Sequence, residues 1–188
     1  MNKILKRSVR RFKLVFHRYF GSQSEYVRLK IKPFLDRGLE IGVNVHILDS
    51  YIDPLYPFLI RTGDNVTITS SALITHDASM KAILGKALIG RINIGNNVFI
   101  GYGSIILPDT TIGNNVVIGA GSVISRDIPD NCVVVGNSRV IGTHADYMAK
   151  LKTKMQTRPV YNIDARRIDK AQRNEMIARL SDGVGFND

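Results

Sequence analysis

Residues 94–129 read IGNNVF IGYGSI ILPDTT IGNNVV IGAGSV ISRDIP when broken every six residues. The block heads are Ile94, Ile100, Ile106, Ile112, Ile118 and Ile124. With 23 isoleucines in 188 residues, six of six in one given register arises by chance about once in 300,000 trials, so the period is a property of the chain. The fifth positions are Val98, Ser104, Thr110, Val116, Ser122 and Ile128, all small or β-branched. A period of six is neither helical nor simple alternation. It fits a short flat strand followed by a turn, with Ile pointing inward and Gly or Asn accepting the turn dihedrals. Three blocks make one triangular coil, and coils stack at the ~4.8 Å spacing of neighbouring strands. Each buried Ile is worth roughly 1.5–3 kcal/mol, so the stack forms a continuous core.

Upstream the pattern continues in shifted phase. Ile41 and Ile47 head IGVNVH and ILDSYI, Thr62 heads TGDNVT, and Ile68 and Ile74 head ITSSAL and ITHDAS. The step from Ile74 to Ile94 exceeds three blocks by two positions. Two residues are therefore expected to leave the coil within Ala78–Lys86, forming an extruded loop near residues 77–87. A second irregularity lies in Asp53–Arg61, where DPLYPF breaks the pattern with two prolines. The expected organisation is a basic helical arm over residues 1–38, a β-helix over 39–142 and a helical extension over 143–188. The fold class is all-β dominated, with α-helical extensions at both ends.

Charge separates the same three segments. Residues 1–38 carry +9, residues 39–142 carry −2 and residues 143–188 carry +3. In the arm, Leu5, Val9, Phe12, Phe16 and Tyr19 recur at helical spacing among seven Lys and Arg residues. Such a helix either packs on an open end of the coil, hiding strand edges, or lies on an anionic membrane surface. Nucleic acid is not the expected partner, because no aromatic stacking platform accompanies the charge. At the other end, Ala145–Lys154 and Ile163–Leu180 are expected to be helices separated by Pro159. The single Cys132 excludes an intrachain disulfide and a thiolate zinc site. It lies in the apolar run CVVV and reads as core. No apolar run approaches a membrane span and no clean signal-peptide stretch is present. The expected location is cytoplasmic, with peripheral contact at the inner membrane face through the arm.

Four histidines are present: His17, His46, His76 and His144. His76 stands out because it follows the strand LIT and immediately precedes the extruded segment, and a loop on a rigid scaffold is a common place for catalysis. The stretch VTITSSALITHDAS, the short loop, and then IGNNVFIGYGSIILPDTTIGNNVVIGAGSVISRDIPDNCVVVGN resembles the hexapeptide-repeat acetyltransferases. Within them it is closest to the sugar O-acetyltransferases acting on capsule, exopolysaccharide or lipopolysaccharide precursors. The resemblance implies a left-handed parallel β-helix, against the usual right-handed crossover. It implies acetyl-CoA as acetyl donor, no metal, and a homotrimer with active sites between subunits. It places His76 as general base. Tyr102, Ala120, Ser125, Arg126 and Arg139 fall at positions lining the coenzyme A channel. Two departures stand out: GNSRVI replaces the usual GNPA(K/R)VI around Arg139, and Phe99 replaces the usual tryptophan.

Asp77 is placed to orient His76, to contact the acceptor, or to serve as an ordinary turn residue. Asn96 and Asn114, three blocks apart, are expected to stack as structural turn residues. Two other functions use the same fold. N-acetylation of an amino-sugar nucleotide would need the same base and donor site, and a non-catalytic β-helix scaffold would need neither. A γ-class carbonic anhydrase needs three zinc-binding histidines, whereas only His46 and His76 fall within the coils.

Overall fold

The computed structural model describes residues 23–187. The basic helix read over residues 2–20, and His17 within it, lie outside the described residues. The chain divides into two compact units, one ending at His144 and one spanning Ala145–Asp188.

In the first unit three parallel sheets are visited in rotation. The first contains His46–Leu48, Val66–Thr69, Val98–Ile100, Val116–Ile118 and Cys132–Val135. The second contains Tyr51–Ile52, Ala72–Leu73, Ile105–Ile106 and Val123–Ile124. The third contains Ile60–Thr62, Ile92–Ile94 and Thr110–Ile112. Where the period is regular, Ile105 lies beside Val123 and Val98 beside Val116, each three blocks on. All six isoleucine heads from Ile94 to Ile124, and all six fifth positions from Val98 to Ile128, are buried. Buried Ser71, Ser104 and Ser122 are satisfied by donating to the Gly101 and Gly119 carbonyls at 2.6–3.2 Å.

The turns obey the same economy. Asn65, Asn97, Asn115 and Asn131 are all left-handed. Their side chains form a ladder with Asn44, each Nδ2 donating to the next Oδ1 at 2.8–3.1 Å. One position earlier, Asn96 and Asn114 stack as expected, the Asn96 N–H donating to Asn114 Oδ1 at 2.9 Å. Gly101 is required for a different reason, since a Cβ there would sit 2.6 Å from the Ala120 nitrogen.

The structure departs from the sequence expectations in three places. First, Ile60 lies beside Ile92 and Ile92 lies beside Thr110, so the first step exceeds the regular one by fourteen positions. Fourteen residues leave the coil, not two. They form an antiparallel pair, His76–Asp77 with Leu88–Ile89, around the short helix Lys81–Leu84. The Gly90 N–H donates to the Thr75 carbonyl at 2.9 Å and closes the coil beneath the excursion. Second, the buried block head after Ile68 is Leu73, which aligns with Ile106, and Ile74 is displaced from the core. Ser70 turns left-handed only two residues after Ile68, whereas Gly103 does so three residues after Ile100, so this edge is one residue shorter. Third, Arg139–Thr143 does not extend the coil. It runs back antiparallel along Cys132–Val135.

The described part of the expected arm holds one helix, Gln23–Leu35, designated α1, which lies beyond the periodic stretch read over 2–20. It buries Ile31 in the core, with Phe34 and Leu35 packed against it, and covers the end of the coil at His46–Leu48.

In the second unit, the strands Val160–Tyr161 and Phe186–Asn187 pair in parallel, and His144–Thr157 leads into it as a helix. The helix expected over 163–180 begins only at Lys170. Asp169 caps it by accepting the Gln172 N–H at 2.8 Å, while Gln172 Oε1 accepts the Asp169 N–H at 3.0 Å. Among the described residues no helix is long and apolar enough to cross a membrane.

Candidate active site

The edge between the second and third sheets carries both irregular segments, residues 53–59 and 74–91. Asp53 follows the last residue of Tyr51–Ile52 and is fully buried. Pro54 and Pro57 release the chain from the sheet there, because proline cannot extend a ladder. The segment then passes through a 3₁₀ turn at Pro57–Leu59.

A buried carboxylate is costly unless its oxygens are satisfied, and those of Asp53 are. Oδ1 accepts the Leu55 N–H at 2.9 Å. Oδ2 accepts the Thr75 N–H at 3.0 Å, the Thr75 hydroxyl at 2.7 Å and His76 Nδ1 at 2.5 Å. Burial alone would raise the Asp53 pKa. The bonds from the Thr75 hydroxyl, the His76 ring and the Leu55 and Thr75 amides override it and lower the value from 3.8 to about 2.

An ionised Asp53 assigns the tautomer of His76. The proton sits on Nδ1, facing the carboxylate, and the lone pair sits on Nε2. The imidazole is about a quarter exposed. Tyr56 meets it edge-on, with ring centroids 5.8 Å apart, and Phe58 meets Tyr56 in the same way at 6.1 Å. Imidazole is thus clamped by one acid and one aromatic ring, both from the proline-interrupted segment. This constellation can accept a proton at Nε2 and hold the resulting imidazolium against a carboxylate.

The partner that orients His76 is therefore Asp53, not Asp77. Asp77 is exposed, and its Oδ1 accepts the Ser79 N–H at 2.7 Å in a local turn. Asp53 escaped the sequence reading because 23 residues separate it from His76 and both neighbouring coils depart from the regular three blocks. A signal was present in the step from Ile47 to Ile68, which exceeds three blocks by three positions. That offset sets Ile52 beside Leu73 and brings Asp53 to the edge His76 occupies.

Ser125 and Arg126 lie on this same edge, farther along the coil. The Ser125 N–H donates to Ser138 Oγ at 3.0 Å, and Arg126 Nη2 donates to the Ser138 carbonyl at 3.0 Å. Tyr102 and Ala120 lie instead on the edge between the first and second sheets. Tyr102 and Ala120 are both exposed, with the Gly121 N–H donating to the Tyr102 carbonyl at 2.8 Å. Beside them Gly103 and Gly121 are left-handed, with open space where a Cβ would point. This edge offers a shelf of open backbone at its glycine turns beside the exposed Tyr102 ring. Arg139 is exposed on the antiparallel strand. One chain therefore brings His76, Ser125 and Arg126 to one edge and leaves Tyr102 and Ala120 on another.

His46 and Cys132 belong to strands of the first sheet, away from the edge that carries His76. His46 is exposed, its Nε2 lying 2.9 Å from Asn44 Oδ1. Cys132 is buried, and burial followed by the negative charge of Asp130 pushes its thiol pKa up.

Residues 91–126 match the family described as bacterial transferase hexapeptide (six repeats). Protein CapG of Staphylococcus aureus is 55% identical over 86 residues, covering 43% of this chain and 50% of that protein. The chain thus spans about half the length of this curated relative. Among solved structures, a maltose O-acetyltransferase from Clostridium difficile 630 is 30% identical, with 76% of this chain and 89% of that one covered at a TM-score of 0.50. A galactoside acetyltransferase in complex with coenzyme A is 26% identical, with 79% and 86% covered at a TM-score of 0.50. With the six-residue repeat matched by the family model, and the coil extending on both sides of it, the chain belongs to the bacterial hexapeptide-repeat transferases.

Proposed function

We propose that the protein is an acetyl-CoA-dependent acyltransferase that acetylates a sugar hydroxyl of a surface-polysaccharide precursor, on a coil of the left-handed type. The observation that carries this reading is the buried Asp53 carboxylate holding His76 with its Nε2 lone pair unengaged by Asp53. The galactoside and maltose enzymes support a sugar acceptor, and the capsule-named relative supports a polysaccharide context.

A sugar hydroxyl is a poor nucleophile at neutral pH. His76 Nε2 takes its proton as the oxygen attacks the thioester carbonyl. The new C–O bond gives a tetrahedral intermediate, and ionised Asp53 stabilises the imidazolium formed beside it. Collapse breaks the C–S bond. The proton on Nε2 passes to the departing thiolate, releasing free coenzyme A and the acetyl ester. Neither Cys132 nor any covalent enzyme intermediate is needed. Acetyl-CoA is a substrate, and the chemistry of its channel fits the first–second edge: Tyr102 and Ala120 beside open glycine turns for the pantetheine arm. Arg126 and Arg139 supply cations for its phosphates. Because Tyr102 and Ala120 lie on a different edge from His76, a complete site needs two copies of the chain, in keeping with a homotrimer.

The test is acetyl transfer to a panel of sugars, amino sugars and nucleotide sugars. His76→Gln keeps a donor toward Asp53 but removes the base. Turnover should fall by about 10²–10⁴, while acetyl-CoA should still raise the melting temperature, as a ligand of the folded state does. Wild-type turnover in His76→Gln sinks the base. Transfer confined to amines would move the acceptor to an amino sugar.

The arm extends the reading. Residues 1–38 carry +9, and such charge favours an anionic membrane surface. Full-length protein should co-sediment with phosphatidylglycerol vesicles at low salt and release at high salt. Protein lacking residues 2–20 should not bind. Equal binding by both forms would defeat the arm's role.

A further inference from the structure

Arg37, two residues beyond α1, reaches the site from the outside. Its Nη1 donates to the Pro54 carbonyl, and its Nη2 donates to the Leu55 carbonyl at 3.1 Å. An exposed arginine ordinarily contributes little. These acceptors are unusual, because the two prolines have taken residues 53–59 out of the sheets and left their carbonyls without ladder partners. Pro54 C=O and Leu55 N–H are also two ends of one peptide group, and that N–H donates to Asp53 Oδ1 at 2.9 Å. A peptide that accepts a charge-assisted bond at its oxygen becomes a stronger donor at its nitrogen. Hydrogen bonds therefore run unbroken from Arg37 through the Pro54–Leu55 peptide and Asp53 to His76 Nδ1.

The anchor of this chain is rigid. The Arg37 and Gly38 N–H groups donate to the Phe34 and Leu35 carbonyls at 3.0 Å, and Ile31 of α1 is buried in the core. Gly38 is left-handed, with φ 94°, and a Cβ there would lie 2.9 Å from Phe58 Cβ. The same junction therefore also seats Phe58, which meets Tyr56, which meets His76.

We infer that Arg37 is a positioning residue for the catalytic base: it polarises the Pro54–Leu55 peptide and fixes the Asp53 carboxylate that keeps His76 protonated on Nδ1 and open on Nε2. The inference rests on the reading of His76 as base.

The test uses full-length Arg37→Ala and Arg37→Lys, with Lys32→Gln as control. Lys32 pairs with Asp36 in the last turn of α1, so the control removes a nearby charge without touching the chain of bonds. Relayed positioning effects of this kind run to about 10–100-fold, and one step farther out Arg37→Ala should lower kcat about 3–30-fold. KM for acetyl-CoA should stay within about two-fold, because the donor shelf is on another edge. Arg37→Lys, which keeps the charge but not the planar fork, should recover part of the loss.

A second readout needs no turnover. The hydrogen-bonded imidazole N–H proton of His76, assigned by its loss in His76→Gln, should move upfield and exchange faster in Arg37→Ala. It should be intermediate in Arg37→Lys and unchanged in Lys32→Gln. Wild-type kcat and an unmoved resonance in Arg37→Ala overturn the inference, as does a Lys32→Gln control that reproduces the loss. If His76→Gln is inactive while the Arg37 variants match wild type, only Arg37's role falls. If His76→Gln retains activity, the base reading falls with it.

Discussion

Residues 92–128 and residues 53–91 wind through the same three sheets under different rules. In the first stretch inward positions repeat with buried Ile, Val, Ser and Thr, and asparagine, glycine or aspartate turns its corners left-handed. In the second, one edge is interrupted twice, first by two prolines and then by a fourteen-residue excursion. The buried charge, the imidazole and the aromatic clamp all belong to the interrupted stretch. The regular coil builds a rigid frame by repetition, and repetition leaves no room for a unique acid–base pair. Function enters where the repeat is broken on one edge only, so that the core on both sides stays continuous.

The largest effect expected inside this comparison, after loss of His76 itself, comes from Asp53. Asp53→Asn preserves shape but offers an amide N–H₂ where Thr75 and His76 already point donors. The imidazole would then favour the other tautomer, with its proton on Nε2. Turnover should fall about 10–10³-fold, with acetyl-CoA still raising the melting temperature. Near-wild-type kcat in Asp53→Asn would mean that the interruption serves folding rather than catalysis.

The same carboxylate has a signature in stability. Its pKa is lowered from 3.8 to about 2. A carboxyl depressed in the folded state adds stability above its unfolded pKa and loses it as pH falls through the folded one. The contribution is about 2 kcal/mol, fully present above about pH 5, mostly lost by about pH 2 and gone below it. The stability gap between wild type and Asp53→Asn should therefore narrow as denaturation is followed from pH 5 to pH 2.5. A gap that stays constant would mean Asp53 is not held ionised by its four donors.

The regular stretch was legible and the interrupted one was not, for one physical reason. An isoleucine every six residues reports burial directly, so the inward columns from Ile94 to Ile128 follow from the sequence alone. The stacking of Asn96 on Asn114 follows in the same way. Once coils differ in length, as between Ile47, Ile68 and Ile100, sequence distance no longer reports spatial distance. His76 could be singled out by its place beside the excursion, but its acid could not, and Asp77 stood nearest in the chain. The size of the excursion was hidden for a related reason: the twenty positions from Ile74 to Ile94 read as three blocks plus two, whereas only one block separates their places in the coil, so two blocks' worth of the excursion counted as coil. α1 falls inside the helical arm read over residues 1–38, but its contact with the core does not announce itself, since it rests on Ile31, Phe34 and Leu35 near the last turn, with Pro33 among them.

The smallest effect on turnover tests the claim that the regular stretch is frame and nothing more. Asn97 sits on the third–first edge with φ 56°. Its Oδ1 accepts from Asn65 at 3.1 Å, and its Nδ2 donates to Asn115 at 3.0 Å. Asn97→Gly keeps access to the left-handed turn and loses the ladder bonds, a cost of about 1 kcal/mol for exposed neutral bonds. Asn97→Ala loses the bonds and also forces a Cβ into the left-handed region, about 1–2 kcal/mol more. Gly103→Ala calibrates that second cost, because Gly103 has φ 71° and a Cβ there would meet nothing within 4 Å. Melting curves should therefore rank wild type above Asn97→Gly and Asn97→Gly above Asn97→Ala. The step between the two variants should match the Gly103→Ala penalty. Turnover per folded molecule should not change in either Asn97 variant, because this edge carries neither His76 nor its carboxylate nor the proposed donor shelf. A fall in kcat at Asn97 without a change in melting would show that the regular edge takes part in the reaction, and the division between frame and site would fail.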